Sequence, residues 1–210
     1  MKRIKPAVIG ITGGVGAGKS SVMAILERNT KSVIMIADEI AKKMIEPDSS
    51  CYNDIVGLLG ESVLNPDGSV NRERMAKLIY EKEELRQRVN ALIHPAVNEY
   101  IKAVITRERE AGECEFVFVE AALLIENGYD RICDELWYVY ASEEVRKERL
   151  IKTRSYSSEK CDAIMKRQLS EETFKSKCTE VIDNNADEDT LEIQIKKLLE
   201  RKREIFFGEG

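Results

Sequence analysis

The fold of this chain is decided by the stretch Gly13-Gly14-Val15-Gly16-Ala17-Gly18-Lys19-Ser20, which fits the pattern G-x-x-x-x-G-K-[ST] at every fixed position. The apolar run Ala7-Val8-Ile9-Gly10-Ile11 precedes it and predicts a buried strand, and helical spacing follows from Gly18 to about Asn29. A glycine-rich turn between a strand and a helix points backbone N–H groups at an anion, and the helix N-terminus adds partial positive charge. The motif in this context predicts a loop that binds nucleotide phosphates.

Each residue type of the loop has an expected task. Lys19 is expected to reach the β- and γ-phosphates, and the Ser20 hydroxyl to ligate magnesium. The backbone around them is expected to cradle the phosphates, through Gly13, Gly14, Val15, Gly16, Ala17 and Gly18. The loop specifies nucleotide binding but no particular reaction, since GTPases, ATP-driven motors and small-molecule kinases share it. The sequence has no guanine-specific Asn-Lys-x-Asp motif, which disfavours a GTPase.

Composition narrows the class of protein. The 210 residues carry 33 basic and 38 acidic side chains, a net charge of −5, and 43% are hydrophobic. These values predict one folded domain with room for insertions and argue against a nucleic-acid partner, which normally selects a basic stripe. The five cysteines lie far apart and form no C-x-x-C pair, so we expect reduced thiols rather than disulfides or a zinc site. The apolar runs are too short for a signal peptide or a membrane span, and we expect a cytoplasmic protein.

Further apolar strands alternate with helical segments along the chain. They are Val33-Ile34-Met35-Ile36, Phe116-Val117-Phe118-Val119, Leu136-Trp137-Tyr138-Val139-Tyr140 and Val181-Ile182-Asp183. This alternation predicts an α/β fold with a parallel sheet covered on both faces. Residues 51–110 are mostly helical in pattern, broken by a turn at Asn65-Pro66-Asp67-Gly68. Because this stretch is too long for one crossover, we interpret it as an insertion beside the sheet.

Polar residues follow three of the predicted strands. Asp38 follows the second, where it could orient or deprotonate a hydroxyl or could cap the next helix. Glu120 follows the third and is a candidate carboxylate on the magnesium side, the alternative being a solvated strand end. The helix after the fourth carries Arg146, Arg149 and Arg154, which could neutralise a γ-phosphate from a mobile loop or could be solvated. We favour Arg154, and then Arg149.

Several motifs together resemble the dephospho-coenzyme A kinase family. The phosphate loop is followed in family order by Ala37-Asp38-Glu39-Ile40-Ala41-Lys42, Gly68-Ser69-Val70-Asn71-Arg72, Ile93-His94-Pro95, Leu123-Leu124-Ile125-Glu126, Arg149-Leu150, Arg154, Gln168 and Val181-Ile182-Asp183-Asn184. Lys42 stands where the family usually has arginine, Asn71 where it has aspartate, Ala122 where it has proline, and Cys178-Thr179 where it has an Ala-Asp pair.

The resemblance implies transfer of a phosphoryl group from ATP, with Mg²⁺, to the ribose 3′-hydroxyl of dephospho-coenzyme A, the last step of coenzyme A biosynthesis. It implies a three-layer P-loop kinase fold with a five-stranded parallel sheet. The core would comprise residues 1–45, 114–152 and 178–210, the helical acceptor-binding insertion 46–113, and the lid 153–177. The chain would be a monomer or a small homo-oligomer.

The resemblance also assigns tasks to single residues. Lys19, Asp38 and Arg154 would be catalytic, with Asp38 as base or orienter of the 3′-hydroxyl. Arg149 and Asn184 would join the loop in binding ATP, and Ser20 and Glu120 would hold the metal. The acceptor would contact Asp38 and also Lys42, Arg72, His94 and Leu123. The alternatives are a kinase of another small hydroxyl compound, such as a nucleoside, and a nucleotide-dependent switch.

Overall fold

The computed structural model describes residues 4–208. They form two compact units, one containing the residues up to Met35 together with those from Arg107 onward, the other containing Ile36–Thr106. In residues 4–208, no helix combines the length and the apolar character that crossing a membrane requires.

Five strands form one sheet: β1 (Ala7–Thr12), β2 (Ser32–Ile36), β3 (Phe116–Glu120), β4 (Glu135–Tyr140) and β5 (Glu180–Asp183), in the order β2-β3-β1-β4-β5. The central strand β1 pairs in parallel with β3, where Ala7 lies opposite Phe116, and with β4, where Thr12 lies opposite Tyr138. β5 pairs in parallel with β4. The predicted five-stranded parallel sheet is confirmed.

The helices of the described residues are, in chain order, α1 (Lys19–Asn29), α2 (Ala37–Lys43), α3 (Tyr52–Leu59), α4 (Arg72–Glu81), α5 (Glu83–Ala111), α6 (Glu143–Arg154), α7 (Ser158–Met165), α8 (Glu171–Lys177) and α9 (Glu188–Phe207). Short 3-10 turns occur at Glu61–Val63 and Tyr129–Arg131. The strands, and α1 after the phosphate loop, begin and end within a few residues of the predicted positions. The stretch 51–110 is mostly helical, as predicted.

One face of the sheet packs on α1 and α9. Alternate strand residues point to this face, and Ile9, Phe118 and Trp137 are fully buried there against Leu26 and Ile195. On the opposite face of β4, Tyr138 stacks on Phe174 of α8 with 4.7 Å between ring centroids. Since both faces of these strands are covered, the near-continuous apolar runs of the sequence are accounted for.

The second unit is helical, with α2, α3, α4 and most of α5 around its own buried residues, which include Ile55, Met75 and Val97. The predicted turn at 65–68 is confirmed, because Leu64 and Val70 form an antiparallel bridge around it. Asn71 caps α4, its side-chain oxygen accepting from Arg74 N at 3.0 Å. This accounts for a polar capping residue at that position.

Candidate active site

The phosphate loop connects β1 to α1 and depends on glycine at its bends. Gly16 and Gly18 adopt φ values of 80° and 87°, in the left-handed region that favours glycine. Gly18 is the N-cap of α1 and has no side chain to cap it, so the first turn of the helix presents its N–H groups to a ligand. The predicted strand–loop–helix context of the motif is confirmed.

Lys19 is the first residue of α1 and reaches back across the loop. Its Nζ donates to Gly13 O at 3.0 Å and lies 3.7 Å from Glu120 Oε1, at the end of β3. The side chains of this ion pair are 13% and 14% exposed. Lys19 and Glu120, predicted separately from the sequence, are therefore brought together beside the loop. Partial burial keeps the attraction between them effective.

Ser20 is an exposed residue in the first turn of α1, next to Lys19. The described residues contain no group of three or more His, Cys, Asp or Glu side chains that could hold a metal by themselves. Magnesium commonly takes one or two protein ligands and fills its other positions with water and phosphate oxygens. A hydroxyl and a nearby carboxylate are therefore donors that fit this ion.

Arg146 lies on α6 and packs directly on the loop. Its Nε donates to Val15 O at 2.9 Å and its Nη2 to Gln168 Oε1 at 2.5 Å. The same Gln168 oxygen accepts from Val15 N at 3.2 Å. Burial lowers the pKa of the Arg146 guanidinium below its ordinary value. The sequence placed Arg146 on the helix face but did not single it out, because this contact spans 131 residues.

Arg149 and Asn184, both candidates for binding ATP, contact each other and the loop backbone at Ala17. Arg149 Nη1 donates to Ala17 O at 3.4 Å and Nη2 to Asn184 O at 2.9 Å. The Asn184 side chain is buried and donates to Ala17 O at 2.8 Å. Its amide lies against Gly18, so a Cβ at that position would collide with it. These contacts fix the backbone just before α1.

Arg154 is the last residue of α6, and its side chain is exposed. Ser155 ends the helix in the left-handed conformation with φ 52°. The helix begins at a Ser142 cap, whose hydroxyl accepts from Val145 N at 3.3 Å.

Leu123, predicted to contact the acceptor, lies after β3 and is 49% exposed.

The predicted acceptor residues of the second unit lie on three helices. Asp38 is in the first turn of α2, whose N-cap is Ile36, so the alternative that Asp38 caps the helix is wrong. Lys42 Nζ donates to Glu39 Oε1 at 2.5 Å, and this bond lowers the pKa of Glu39. His94 is half-buried on α5.

Arg72 lies at the start of α4 and lines a cavity of the second unit. Its Nη2 lies 3.6 Å from Glu46 Oε1 and 3.5 Å from Lys42 O. The cavity has a volume of about 470 Å³ and is lined by Ile45, Glu46, Pro47, Ser69, Val70 and Arg72. Lys42 and Arg72 are thus two exposed cations on neighbouring elements, and each has a carboxylate within ion-pair distance.

Comparison with known proteins identifies relatives of the chain. The family model described as dephospho-CoA kinase matches residues 7–190. The dephospho-CoA kinase of Geobacter sulfurreducens is 33% identical over 191 residues, covering 91% of this chain and 96% of that protein. The Listeria monocytogenes enzyme of that name is 31% identical over 193 residues, covering 92% and 96%.

Solved structures share the fold. The dephospho-CoA kinase from Campylobacter jejuni superposes with a TM-score of 0.71 at 18% identity, covering 96% of this chain and 98% of that one. A shikimate kinase from Acinetobacter baumannii reaches a TM-score of 0.52 at 15% identity, covering 94% and 95%. The shikimate kinase likeness concerns the fold alone, whereas the sequence matches extend through the loop, the helical unit and β5. The chain belongs to the dephospho-CoA kinase family.

Proposed function

We propose that the chain transfers the γ-phosphoryl group of ATP to the ribose 3′-hydroxyl of dephospho-coenzyme A, giving coenzyme A and ADP. The observation that carries this proposal is the family match over residues 7–190, which includes both the phosphate loop and the helical unit. The loop accounts for the nucleotide, and the matched helical unit distinguishes the acceptor from those of other P-loop kinases. A kinase of another small hydroxyl compound and a nucleotide switch are therefore not favoured.

The loop and its neighbours would hold ATP by charge and backbone N–H groups. Lys19 would bind the phosphates from the Gly13 side, and the first turn of α1 would present N–H groups to them. Arg149 and Asn184, which fix Ala17, would border the nucleotide. Phosphoryl transfer is largely positioning and charge neutralisation, so this arrangement suits the reaction.

Ser20 and Glu120 are the residues we propose for magnesium, directly or through water. The bound ion would neutralise charge on the phosphate oxygens. The Glu120 carboxylate also pairs with Lys19, which would keep the lysine oriented toward the phosphates when the metal is absent.

Asp38 would accept or orient the proton of the attacking hydroxyl, and Lys42 and Arg72 would attract the anionic acceptor. Arginine grips phosphate bidentately, whereas Lys42 supplies a point charge. His94 and Leu123 would add contacts to the acceptor. The segment 153–177 would act as a lid carrying Arg154 over the γ-phosphate, and residues 46–113 would form the acceptor-binding insertion.

The partner we propose is a small anionic molecule, and neither a nucleic acid nor a membrane. The net charge of −5 argues against a nucleic acid, since such partners select basic surfaces. We place the reaction in the cytoplasm and expect a monomer or a small homo-oligomer.

The test is release of ADP from Mg²⁺-ATP with and without dephospho-coenzyme A, with the product identified by mass. We expect a rate that depends on the acceptor and a product of the mass of coenzyme A. Asp38→Asn should lower kcat about 10²-fold or more through loss of proton transfer. Asp54→Asn, an exposed carboxylate on α3, is the matched control and should leave kcat unchanged. A protein that binds ATP but ignores this acceptor would contradict the proposal.

A further inference from the structure

Arg146 has no carboxylate in direct contact, although Glu143, one turn earlier on α6, attracts its charge from a greater distance. Its hydrogen bonds go to two neutral oxygens, Val15 O and Gln168 Oε1, and within residues 4–208 it forms no ion pair. The side chain is half-buried, and its guanidinium lies so close to Gly14 that a Cβ there would collide with it. A partly desolvated guanidinium without a carboxylate in hydrogen-bond contact gains from an anion that bonds to it directly.

Two donors converge on one oxygen beside this guanidinium. Val15 N, an N–H group of the phosphate loop, donates to Gln168 Oε1 at 3.2 Å, and Arg146 Nη2 donates to the same atom at 2.5 Å. An amide oxygen is a weak substitute for a phosphate oxygen, which accepts stronger, charge-assisted hydrogen bonds from the same kind of donors. The site therefore has the form of an anion site filled by a neutral acceptor.

The position of this site along the loop indicates which phosphate it fits. In loops of this pattern the backbone near the helix cradles the α- and β-phosphates, and the lysine reaches the β- and γ-phosphates. Lys19 Nζ points to the strand side of the loop, where it contacts Gly13 O at 3.0 Å. Val15 follows Gly13 by two residues, and its backbone N–H and carbonyl oxygen both belong to the contacts with Gln168 and Arg146. The γ-phosphate is the group that would arrive there.

We propose that Arg146 and the Val15 N–H bind the γ-phosphate of ATP, and that the Gln168 side chain occupies their donors until the triphosphate displaces it. This rests on the proposed function only in taking ATP as the nucleotide. Gln168 lies between α7 and α8, so its displacement releases the segment 153–177 from the loop. ADP, without a γ-phosphate, leaves Gln168 in place. Arg146, a candidate that the sequence offered but did not favour, is then a catalytic residue beside Arg154.

The alternative is a purely structural role, called the brace below, in which the contacts of Arg146 and Gln168 only stabilise the conformation of the loop. A brace affects ADP and ATP alike, since both need the same loop. If the site binds the γ-phosphate, substitutions change the affinity for the triphosphate alone. Replacing Arg146 then weakens this affinity, because Arg146 binds the phosphate, whereas replacing Gln168 strengthens it, because Gln168 competes with the phosphate.

The experiment measures dissociation constants of ADP and of a non-hydrolysable β,γ-imido analogue of ATP on the full chain without acceptor. Arg146→Gln should weaken binding of the analogue about tenfold or more, with ADP unchanged within about twofold, because charge-assisted hydrogen bonds are lost. Arg146→Lys should restore part of the difference. Gln168→Ala should tighten binding of the analogue about three- to tenfold and leave ADP unchanged. Arg167→Gln, an exposed neighbour of Gln168, removes the same charge and should change neither constant.

Equal weakening of both nucleotides by Arg146→Gln, or weaker analogue binding in Gln168→Ala, would overturn the proposal in favour of the brace. Gln168→Ala keeps the test open if Arg146 variants do not fold, because Gln168 is half-exposed. Acceptor-dependent turnover of the unmodified chain is measured separately. Its absence together with the expected nucleotide pattern would contradict the proposed acceptor and leave the role of Arg146 standing.

Discussion

Buried positive charge has different partners at the two ends of the parallel sheet: carboxylates where the strands begin and mainly neutral oxygens where they end. At the amino ends of β4 and β5, Lys202 of α9 is 3% exposed and its Nζ lies 2.6 Å from Glu135 Oε2 and 2.7 Å from Glu180 Oε1. Arg201 pairs with Glu180 at 2.6 Å, and the Trp137 indole donates to Glu135 at 2.9 Å. Two cations therefore meet two carboxylates, and the group is neutral within the protein.

At the carboxyl ends, Arg146 and Arg149 are bonded to neutral oxygens of the chain. Lys19 has Glu120 at 3.7 Å, a longer contact than either ion pair of Lys202. At the edge of the sheet where the strands begin, the buried charges balance without a ligand. At the edge where the strands end, Arg146 and Arg149 have no carboxylate in direct contact and can bind an anion. The comparison separates charges that serve stability from charges that serve binding.

The largest effect we expect is on stability at the amino end. Lys202→Ala leaves Glu135 and Glu180 with an unbalanced, mostly buried charge, and breaking a buried pair in this way costs ~3–5 kcal/mol. Urea unfolding should show this loss, while the affinity of the remaining folded protein for ATP stays the same. Lys197→Ala, an exposed lysine of the same helix, is the control and should change stability by less than ~0.5 kcal/mol.

The second effect is on binding at the carboxyl end. Arg149→Met should weaken ATP about 30- to 100-fold, or ~2–3 kcal/mol, because a charge-assisted contact to the nucleotide is lost. Stability should change by less than ~1 kcal/mol, since Ala17 O keeps its hydrogen bond from Asn184 and no carboxylate is left unpaired. Calorimetric titration and urea unfolding of the same sample measure both. A large loss of stability with unchanged ATP affinity would erase the difference between the two ends.

The sequence predicts the elements that depend on neighbouring residues, but not the contacts that join distant ones. The strands and the strand–loop–helix context of the phosphate loop follow from adjacent residues, and these predictions are confirmed. The contact of Gln168 with Arg146 joins residues 22 apart, and that of Lys202 with Glu135 joins residues 67 apart. The spacing of apolar residues along the sequence does not indicate which distant side chains contact each other.

A signal for Lys202 was nevertheless present in the last helix. The buried residues Ile195, Leu198 and Leu199 recur at helical spacing, and Lys202 continues the same stripe. A lysine on an otherwise apolar stripe indicates either a helix end or a buried ion pair. Its partners, at the starts of two strands, could only be found once the sheet order was known.

The smallest effect is a pH dependence at the amino end. Burial raises the pKa of the Cys133 thiol to about 12, and Asp134 and Asp130 raise it further while Arg109 lowers it. In the unfolded chain this thiol ionises near ~8.5, so above that pH the unfolded state releases a proton that the folded state keeps. Stability is therefore full below the unfolded pKa and falls as the pH rises toward the folded value. Between pH ~8 and ~10 the loss of stability from this group should be ~1.5–2 kcal/mol.

Urea unfolding of the unmodified chain and of Cys133→Ala at both pH values isolates the contribution of the thiol, because the substitution removes the thiol and with it this share of the loss. An equal loss in both proteins would mean that the thiol ionises as easily in the folded state, and that neither its burial nor the nearby carboxylates raise its pKa.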